Sequence, residues 1–206
     1  MTPKLDTVKS AAKAGGYHHG ALRPALIAAA EQVIAERGLH GFSLREAARR
    51  AGVSASAPAH HFTDARGLLT AVAAAAFRDL ADALEAAGAA GDREVRIRAQ
   101  GMAYVRFALG NRARFDLMWR QPLLNTADPD YLEPAGRAFR ILDEAVRGPA
   151  PAAGGLDPAL APSIACWSLV HGFARLAMDG AFGADPGVTE RAADALLPAI
   201  LDHLQV

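Results

Sequence analysis

The segment from Leu39 to Leu69, LHGFSLREAARRAGVSASAPAHHFTDARGLL, constrains the fold of this chain more than any other stretch. Ser43 stands where a helix begins, and Glu46 follows at the position of a capping-box carboxylate, so we expect both side chains to bond first-turn amides. Gly52 permits the left-handed conformation that ends a helix. A second short helix is expected over Ala55–His61. Two helices joined by a Gly-containing turn predict a helix-turn-helix.

Small and apolar residues recur at helical spacing in the first of these helices and mark its buried stripe: Leu44, Ala47, Ala48 and Ala51. Alanine at these positions lets two helices cross closely. Val53 is expected to fill the angle between the helices, and Ser54 to cap the second one. Pro58 removes one amide donor, which is tolerated in the first turn of a helix.

A helix-turn-helix enters the DNA major groove with the N-terminal end of its second helix. This geometry nominates five residues to face base edges or groove walls: Ser54, Ala55, Ser56, Ala57 and His60. Phosphate contacts are expected from residues around the first helix and after the second: Ser43, Arg45, Arg49, Arg50 and Arg66. The alternative is that Arg49 and Arg50 only solvate a helix face. Arg, Asn and Gln are scarce in the second helix, so shape readout is expected to add specificity.

The charge distribution supports this interpretation. The net charge of the 206 residues is zero, yet residues 1–66 carry +4 and residues 67–206 carry −4. Such asymmetry is typical of a nucleic-acid-binding end joined to a part with another task.

The stretch FSLREAARRAGVSASAPAHHFTDARGLL closely resembles the N-terminal DNA-binding domain of the TetR family of bacterial repressors. Ala51-Gly52-Val53-Ser54 and His61-Phe62 are the most specific part of the resemblance. Two positions depart from the family pattern: Ala59 stands where a phosphate-contacting Tyr is usual, and Ala65 where a Lys is frequent. The resemblance implies an all-α fold, a homodimer and a DNA operator as partner.

Helical patterns continue through the rest of the chain, with a supporting helix before the motif and six after it: 21–38, 67–87, 92–109, 111–121, 130–147, 158–182 and 188–204. Asp92 and Asn111 are expected to cap the helices that they begin. We therefore expect a flexible N-terminal tail over 1–17, a DNA-binding domain over 18–66 and a larger helical regulatory, ligand-binding and dimerisation domain over 67–206. Residues 148–162 contain four prolines and three glycines, which favours a loop. The chain has one cysteine, no apolar signal core and no membrane-length apolar run, so a cytoplasmic protein is expected.

Two motifs of the second half, Tyr104–Trp119 and Trp167–Gly172, resemble the C-terminal WHG domain of one TetR subgroup. Apolar and aromatic residues in both motifs are candidates to line a pocket for a small hydrophobic or amphipathic ligand: Met102, Phe107, Phe115, Met118, Trp119, Trp167, His171 and Met178. For each of them a plain core role is about as well supported. His171 is the expected polar contact for the ligand.

The sequence favours a homodimeric repressor that a small hydrophobic ligand releases from a pseudo-palindromic operator, with the last two helices forming the dimer interface. The first alternative is an enzyme, which the lack of a Gly-rich phosphate loop, a GxSxG elbow and paired metal motifs disfavours. The second is a redox-responsive regulator that senses through Cys166. An apolar helix around Cys166 predicts an inert thiol. No cofactor and no metal site are expected.

Overall fold

The computed structural model describes residues 19–149, 157–183 and 185–203, and every regular element in these ranges is helical. The predicted tail over 1–17 lies outside them, as do residues 150–156 of the predicted loop. Nine α-helices follow one another: α1 His19–Arg37, α2 Leu44–Arg50, α3 Ala59–Phe62, α4 Ala65–Ala87, α5 Arg93–Gly110, α6 Arg112–Met118, α7 Pro129–Arg147, α8 Ala161–Met178 and α9 Pro186–Leu201. Short 3₁₀ turns occupy Gln121–Leu123 and Pro158–Leu160. The expected all-α fold is confirmed.

The first three helices form the predicted helix-turn-helix unit. Gly38 ends the region of α1 at φ 69°, and Gly52 follows α2 at φ 72°. A side chain at either position would be strained in this left-handed conformation, which explains both glycines. Ala47 and Ala48 of α2 are fully buried, and Val53 packs half-buried against the same core.

Helix α4 is the longest element and joins the helix-turn-helix unit to the remainder of the molecule. Its 23 residues span about 34 Å. Asp64 caps it, because its carboxylate accepts a hydrogen bond from the Gly67 amide at 2.8 Å. Thr63, immediately before, lies at φ 60° and ψ −55°, a strained conformation for a β-branched residue. α4 therefore starts directly from the end of α3.

The remaining helices surround α4. α4 packs against α5, α6 and α7, whereas α8 packs on α5 and α7, and α9 covers α5 and α8. One continuous apolar core extends from Leu26 and Phe62 in the first three helices to Leu197 in α9. No helix among the described residues is long and apolar enough to cross a lipid bilayer.

Polar contacts also join the two ends of the molecule. Arg114 of α6 lies 3.2 Å from the Glu31 carboxylate in α1 and 2.5 Å from the Asp79 carboxylate in α4. The Thr70 hydroxyl of α4 accepts from the Asn125 amide at 2.9 Å. The helix-turn-helix unit is thus attached through α4 and also through α6.

Several predicted helix boundaries need correction. Asp92 caps α5 as expected, with its carboxylate accepting from the Val95 amide at 3.0 Å. Asn111 makes no cap bond to α6, because its amide donates backwards to the Phe107 carbonyl at 3.0 Å. The helix expected over 130–147 begins one residue earlier, at Pro129, and Asp128 caps it. The helix expected over 158–182 is a 3₁₀ turn followed by α8, which stops at Met178.

Candidate DNA-binding surface and ligand cavity

Ser43 precedes α2 in an extended conformation, at φ −142° and ψ 125°. It holds the predicted N-cap position, but its hydroxyl makes no cap bond to the described helix. Glu46 likewise does not complete a capping box, because its carboxylate bonds arginine side chains instead. This part of the prediction is wrong, since charged guanidinium groups compete better for the carboxylate than a backbone amide does.

The Glu46 carboxylate is the centre of an arginine cluster. Arg49 donates to both of its oxygens at 2.8 Å, Arg50 donates through Nε at 3.0 Å, and Arg37 donates at 3.2 Å. Hydrogen bonds from Arg49 and then Arg50 lower the pKa of Glu46 to about 2. The cluster thus gathers three cations, Arg37, Arg49 and Arg50, around one carboxylate.

Arg50 and Arg49 differ in how much of the side chain reaches solvent. Arg50 also binds Glu36 of α1, with its two terminal nitrogens 2.8 and 2.5 Å from the carboxylate oxygens, and only 15% of its side chain is exposed. The Arg49 side chain is 70% exposed. Arg50 therefore ties α2 to α1, whereas most of the Arg49 side chain is exposed to solvent.

The second helix of the motif is shorter than predicted. Residues 55–58 form turns closed by 3₁₀-type bonds, such as Ala57 N to the Ser54 carbonyl at 3.1 Å, and α-helix starts only at Ala59. Pro58 stands at the N-cap, where no amide is required. Ser54 is not a backbone cap, because its hydroxyl pairs with that of Ser56 at 3.1 Å.

Seven of the ten residues predicted to contact DNA share an exposed surface; Arg50 and Ala57 are half-buried, and Arg66 is an outlier. Ser54, Ala55, Ser56 and His60 are exposed, and Ala57 is half-buried. A shallow groove between α2 and the following turns brings together Ser43, Arg45, Arg49 and Ala55. Arg45 is exposed and forms no ion pair with any described residue. We call the exposed surface made by Ser43, Arg45, Arg49, Ser54, Ala55, Ser56 and His60 the α2–α3 surface.

Arg66 is the outlier. It lies in a polar cleft between the helix-turn-helix and the loop before α7, and its guanidinium donates to the Leu124 carbonyl at 2.5 Å. Its guanidinium thus contacts the loop before α7 and is not part of the α2–α3 surface.

An apolar cavity of about 60 Å³ lies among the helices of the C-terminal half. α4 supplies Phe77, Leu80 and Leu84 to one wall. The other walls come from α5, α7, α8, the end of α9 and the residue after α6, through Ile97, Gln100, Gly101, Tyr104, Ala138, Phe139, Leu142, Cys166, Trp167, Val170, Leu201 and Trp119. No charged residue in the described part of the chain is among them. A cavity of about 150 Å³ holds a benzene ring, so a ring-sized guest would have to move the walls of this smaller cavity apart.

Two polar atoms at this cavity have no hydrogen-bond partner among the described residues: Oε1 of Gln100 and Nε1 of Trp119. Gln100 is only 5% exposed. Leaving a buried acceptor or donor unpaired costs about 1–3 kcal/mol, and folded proteins rarely do so. Both residues line the cavity, so one unpaired acceptor and one unpaired donor belong to side chains of its wall.

The other polar groups near the cavity are already bonded to one another. The Tyr104 hydroxyl lies 2.8 Å from His171 Nδ1 and accepts from Trp167 Nε1 at 3.3 Å. Burial, and to a lesser extent Arg175, lowers the pKa of His171. Burial also raises the pKa of Tyr104. The Tyr104 hydroxyl and His171 Nδ1 are thus bonded to each other, and the Trp167 indole is bonded to the same hydroxyl.

Only two of the eight predicted pocket residues, Trp119 and Trp167, line the cavity. Phe107, Phe115 and Met118 are buried core residues, and Met102 and Met178 pack half-buried against that core. His171 stands behind the wall, edge-on to Trp119 with ring centroids 4.8 Å apart. Gln100, which sequence reasoning missed, lines the cavity.

Cys166 is 2% exposed and lines the cavity beside Trp167. Burial raises the pKa of its thiol above the ordinary value. A thiol that is buried and protonated reacts slowly with oxidants, because the thiolate is the nucleophile. Nothing in the geometry favours the redox alternative.

The chain matches two family models: residues 26–72 match the bacterial regulatory proteins of the tetR family, and residues 97–200 match the tetracyclin repressor-like C-terminal domain. The WHG subgroup stays a prediction. None of the curated proteins compared with the chain shows detectable similarity.

Three solved structures share this fold. A protein of unknown function from Rhodococcus sp. RHA1 is 34% identical, with 90% of this chain and 98% of that one covered and a TM-score of 0.67. LfrR from Mycobacterium smegmatis, in complex with proflavine, is 19% identical over 90% and 97% of the chains, with a TM-score of 0.61. PfmR from Thermus thermophilus is 20% identical over 87% and 96%, with a TM-score of 0.58. With its helix-turn-helix and its C-terminal half both matching, the chain belongs to the TetR family of transcriptional regulators.

Proposed function

We propose that the protein is a homodimeric repressor in the cytoplasm, released from a pseudo-palindromic operator by a small hydrophobic ligand. The observation that carries the proposal is that α4 borders the cavity at its C-terminal half and begins at α3. Phe77, Leu80 and Leu84 line the cavity, while Asp64 caps the same helix one residue after Thr63. A guest that displaces α4 also displaces the DNA-binding element.

The α2–α3 surface supports DNA binding. Arg45 and Arg49 provide exposed cations for phosphates, and the hydroxyls of Ser54 and Ser56 with the methyl group of Ala55 face outward for groove contacts. Base-reading groups are few in this set. Operator choice therefore depends on half-site spacing and DNA shape in addition to direct contacts.

The last two helices support a dimer. Ile164 and Leu176 of α8 and Leu196 of α9 expose 40%, 54% and 45% of their surfaces. Small neighbours, among them Ala165 and Ala195, are exposed beside them. An apolar face on two adjacent helices is complementary to its own copy across a two-fold axis, which gives a four-helix interface. Leu196 recurs at helical spacing with Ala192, Ile200 and Leu204, the last of which lies outside the described residues.

The relation between ligand and DNA follows from population shift. A ligand that fills the cavity must bind the DNA-incompetent arrangement more tightly, by about 1–3 kcal/mol, to change operator occupancy appreciably. LfrR, solved with proflavine bound, is a protein of this fold with an aromatic guest. The same fold and an apolar cavity in this chain support a ligand-responsive role.

Mobility shift with the DNA upstream of the protein's own gene tests the proposal. We expect retardation at moderate salt that an unlabelled specific duplex abolishes and a scrambled duplex does not. Retardation that both duplexes abolish equally would overturn specific operator binding.

A further inference from the structure

The cavity against α4 carries an inference about the chemistry of its guest, which rests on the proposed ligand-responsive function. We propose that the ligand is a neutral, mainly apolar molecule with a hydroxyl or amide group that both accepts a hydrogen bond from Trp119 Nε1 and donates one to Gln100 Oε1.

Neutrality follows from the lining. No described side chain that borders the cavity carries a charge, and the apolar residues around it leave a charged group without compensation. A charged guest would lose its hydration shell on entry and find no ion partner.

The need for a hydrogen-bonding group follows from the two unpaired atoms. Gln100 Oε1 can only accept a hydrogen bond, and Trp119 Nε1–H can only donate one. A guest that pairs with both atoms therefore needs one donor and one acceptor. The neighbouring indole, Trp167, already donates to the Tyr104 hydroxyl at 3.3 Å, so it is not available to a guest. A hydroxyl or an amide supplies both functions in one small group.

Position links this chemistry to α4. A Cβ placed on Gly88, the residue that ends α4, would lie 2.4 Å from the Gln100 amide nitrogen, so this amide packs directly against the helix end. A ligand bonded to Gln100 Oε1 thus contacts a side chain fixed against α4. The Gln100 side chain that selects the ligand therefore lies against α4, the helix that transmits ligand binding to the helix-turn-helix.

Three probes of similar shape test the class on the full-length protein by calorimetry: 4-methylphenol, p-xylene and 4-methylbenzoate. p-Xylene replaces the hydroxyl by a methyl group, and 4-methylbenzoate adds a charge. We expect 4-methylphenol to bind about 10-fold more tightly than p-xylene, with 4-methylbenzoate the weakest. Equal binding of 4-methylphenol and p-xylene, tighter binding of 4-methylbenzoate, or no binding of any probe would overturn the class.

Variants locate the effect. Gln100→Leu and Trp119→Phe each remove one unpaired atom, and we expect each to reduce the preference for 4-methylphenol over p-xylene to about threefold or less. Gln32→Leu, at an exposed residue of α1 that does not line the cavity, is the matched control, and we expect it to keep the preference. Gln100→Leu is expected to raise Tm, because it removes an unpaired buried acceptor. The same measurement establishes that the variant folds. An unchanged preference in folded Gln100→Leu would overturn the assignment of Gln100.

Operator release is measured separately. Selective binding of 4-methylphenol without any change in operator affinity supports the ligand class and contradicts the proposed release mechanism. Loss of selectivity with intact operator binding contradicts the ligand class alone.

Discussion

The Glu46 carboxylate holds Arg49 in a two-point ion pair, with Arg49 Nε 2.8 Å from one oxygen and the terminal nitrogen 2.8 Å from the other. The pair lies at the edge of the α2–α3 surface, where a DNA phosphate would compete for the same guanidinium. Glu46 thus positions the Arg49 guanidinium. A DNA phosphate can bind this guanidinium fully only if the ion pair with Glu46 is weakened. Arg50, bonded to the same carboxylate, is fixed to α1 by Glu36.

Acid is expected to weaken the helix-turn-helix through Glu46. Its folded-state pKa of about 2 lies below the ordinary value, so its contribution to stability is full above about pH 4.5 and is lost as the pH falls towards 2. Glu46→Gln is expected to lower Tm at pH 7 by a few degrees and to flatten the decline of Tm between pH 5 and 2.5. Glu133→Gln, whose carboxylate is 65% exposed and 4.0 Å from Arg140, serves as control. An acid decline as steep in Glu46→Gln as in the wild type would contradict this role.

Arg45 and Arg50 are expected to act differently in DNA binding. Arg45→Ala removes an exposed cation, so the slope of log affinity against log salt should decrease by about 0.9, with no change in Tm. Arg50→Ala breaks the link to Glu36 and should chiefly lower Tm. Fluorescence anisotropy over a salt series and differential scanning calorimetry separate the two effects. Arg140→Ala, far from the helix-turn-helix, is expected to leave both quantities unchanged; a salt slope that responds to Arg140 and not to Arg45 would refute the assignment.

Phe115 is expected to stabilise the fold and not to contact the ligand. It is fully buried, and its ring centroid lies 5.7 Å from that of Tyr104 and 5.5 Å from that of His171. Phe115→Ala should lower the free energy of unfolding by about 3–5 kcal/mol, measured by urea denaturation. Leu132→Ala, at a residue that is 53% exposed, should change it by less than about 0.5 kcal/mol. A mild effect of Phe115→Ala would mean that the ring is not part of the core.

Leu196 is expected to lie in the dimer interface. Leu196→Arg places two charges against each other across the two-fold axis, so analytical ultracentrifugation should show a monomer at concentrations where the wild type is a dimer. Leu132→Arg puts the same charge on the exposed side of α7 and should leave the dimer intact. A Leu196→Arg dimer as tight as the wild type would move the interface elsewhere.

Local sequence signals predicted the local features of the fold. The positive φ of Gly52, the cap at Asp92 and the buried alanines of α2 depend on neighbours within one helical turn, and the structure confirms all three. The role of Glu46 could not be read in the same way. A carboxylate at this position fits a capping box and an arginine cluster equally well, and Glu36, which completes the cluster, comes from another helix.

The residues that line the cavity could also be predicted only in part. Trp119 and Trp167 were predicted from their aromatic character, whereas Phe77, Leu80 and Leu84 were not, because which side of α4 faces an empty volume depends on tertiary packing. One signal was available: Gln100 is a polar residue at helical spacing from Ile97 and Tyr104, both buried. A lone polar side chain on an apolar face marks a place to search for a ligand contact.

Sequence-specific DNA binding by the α2–α3 surface is the central claim, and one titration tests it most directly. The purified protein selects a duplex from random sequence, and anisotropy then compares this duplex with a scrambled one, for the wild type and for the Arg45→Ala/Arg49→Ala variant. We predict a pseudo-palindromic selected site, bound at least about 1,000-fold more tightly than the scrambled duplex at physiological salt, and a large loss of affinity in the variant. Equal affinity for both duplexes, unaffected by the double substitution, would contradict the account.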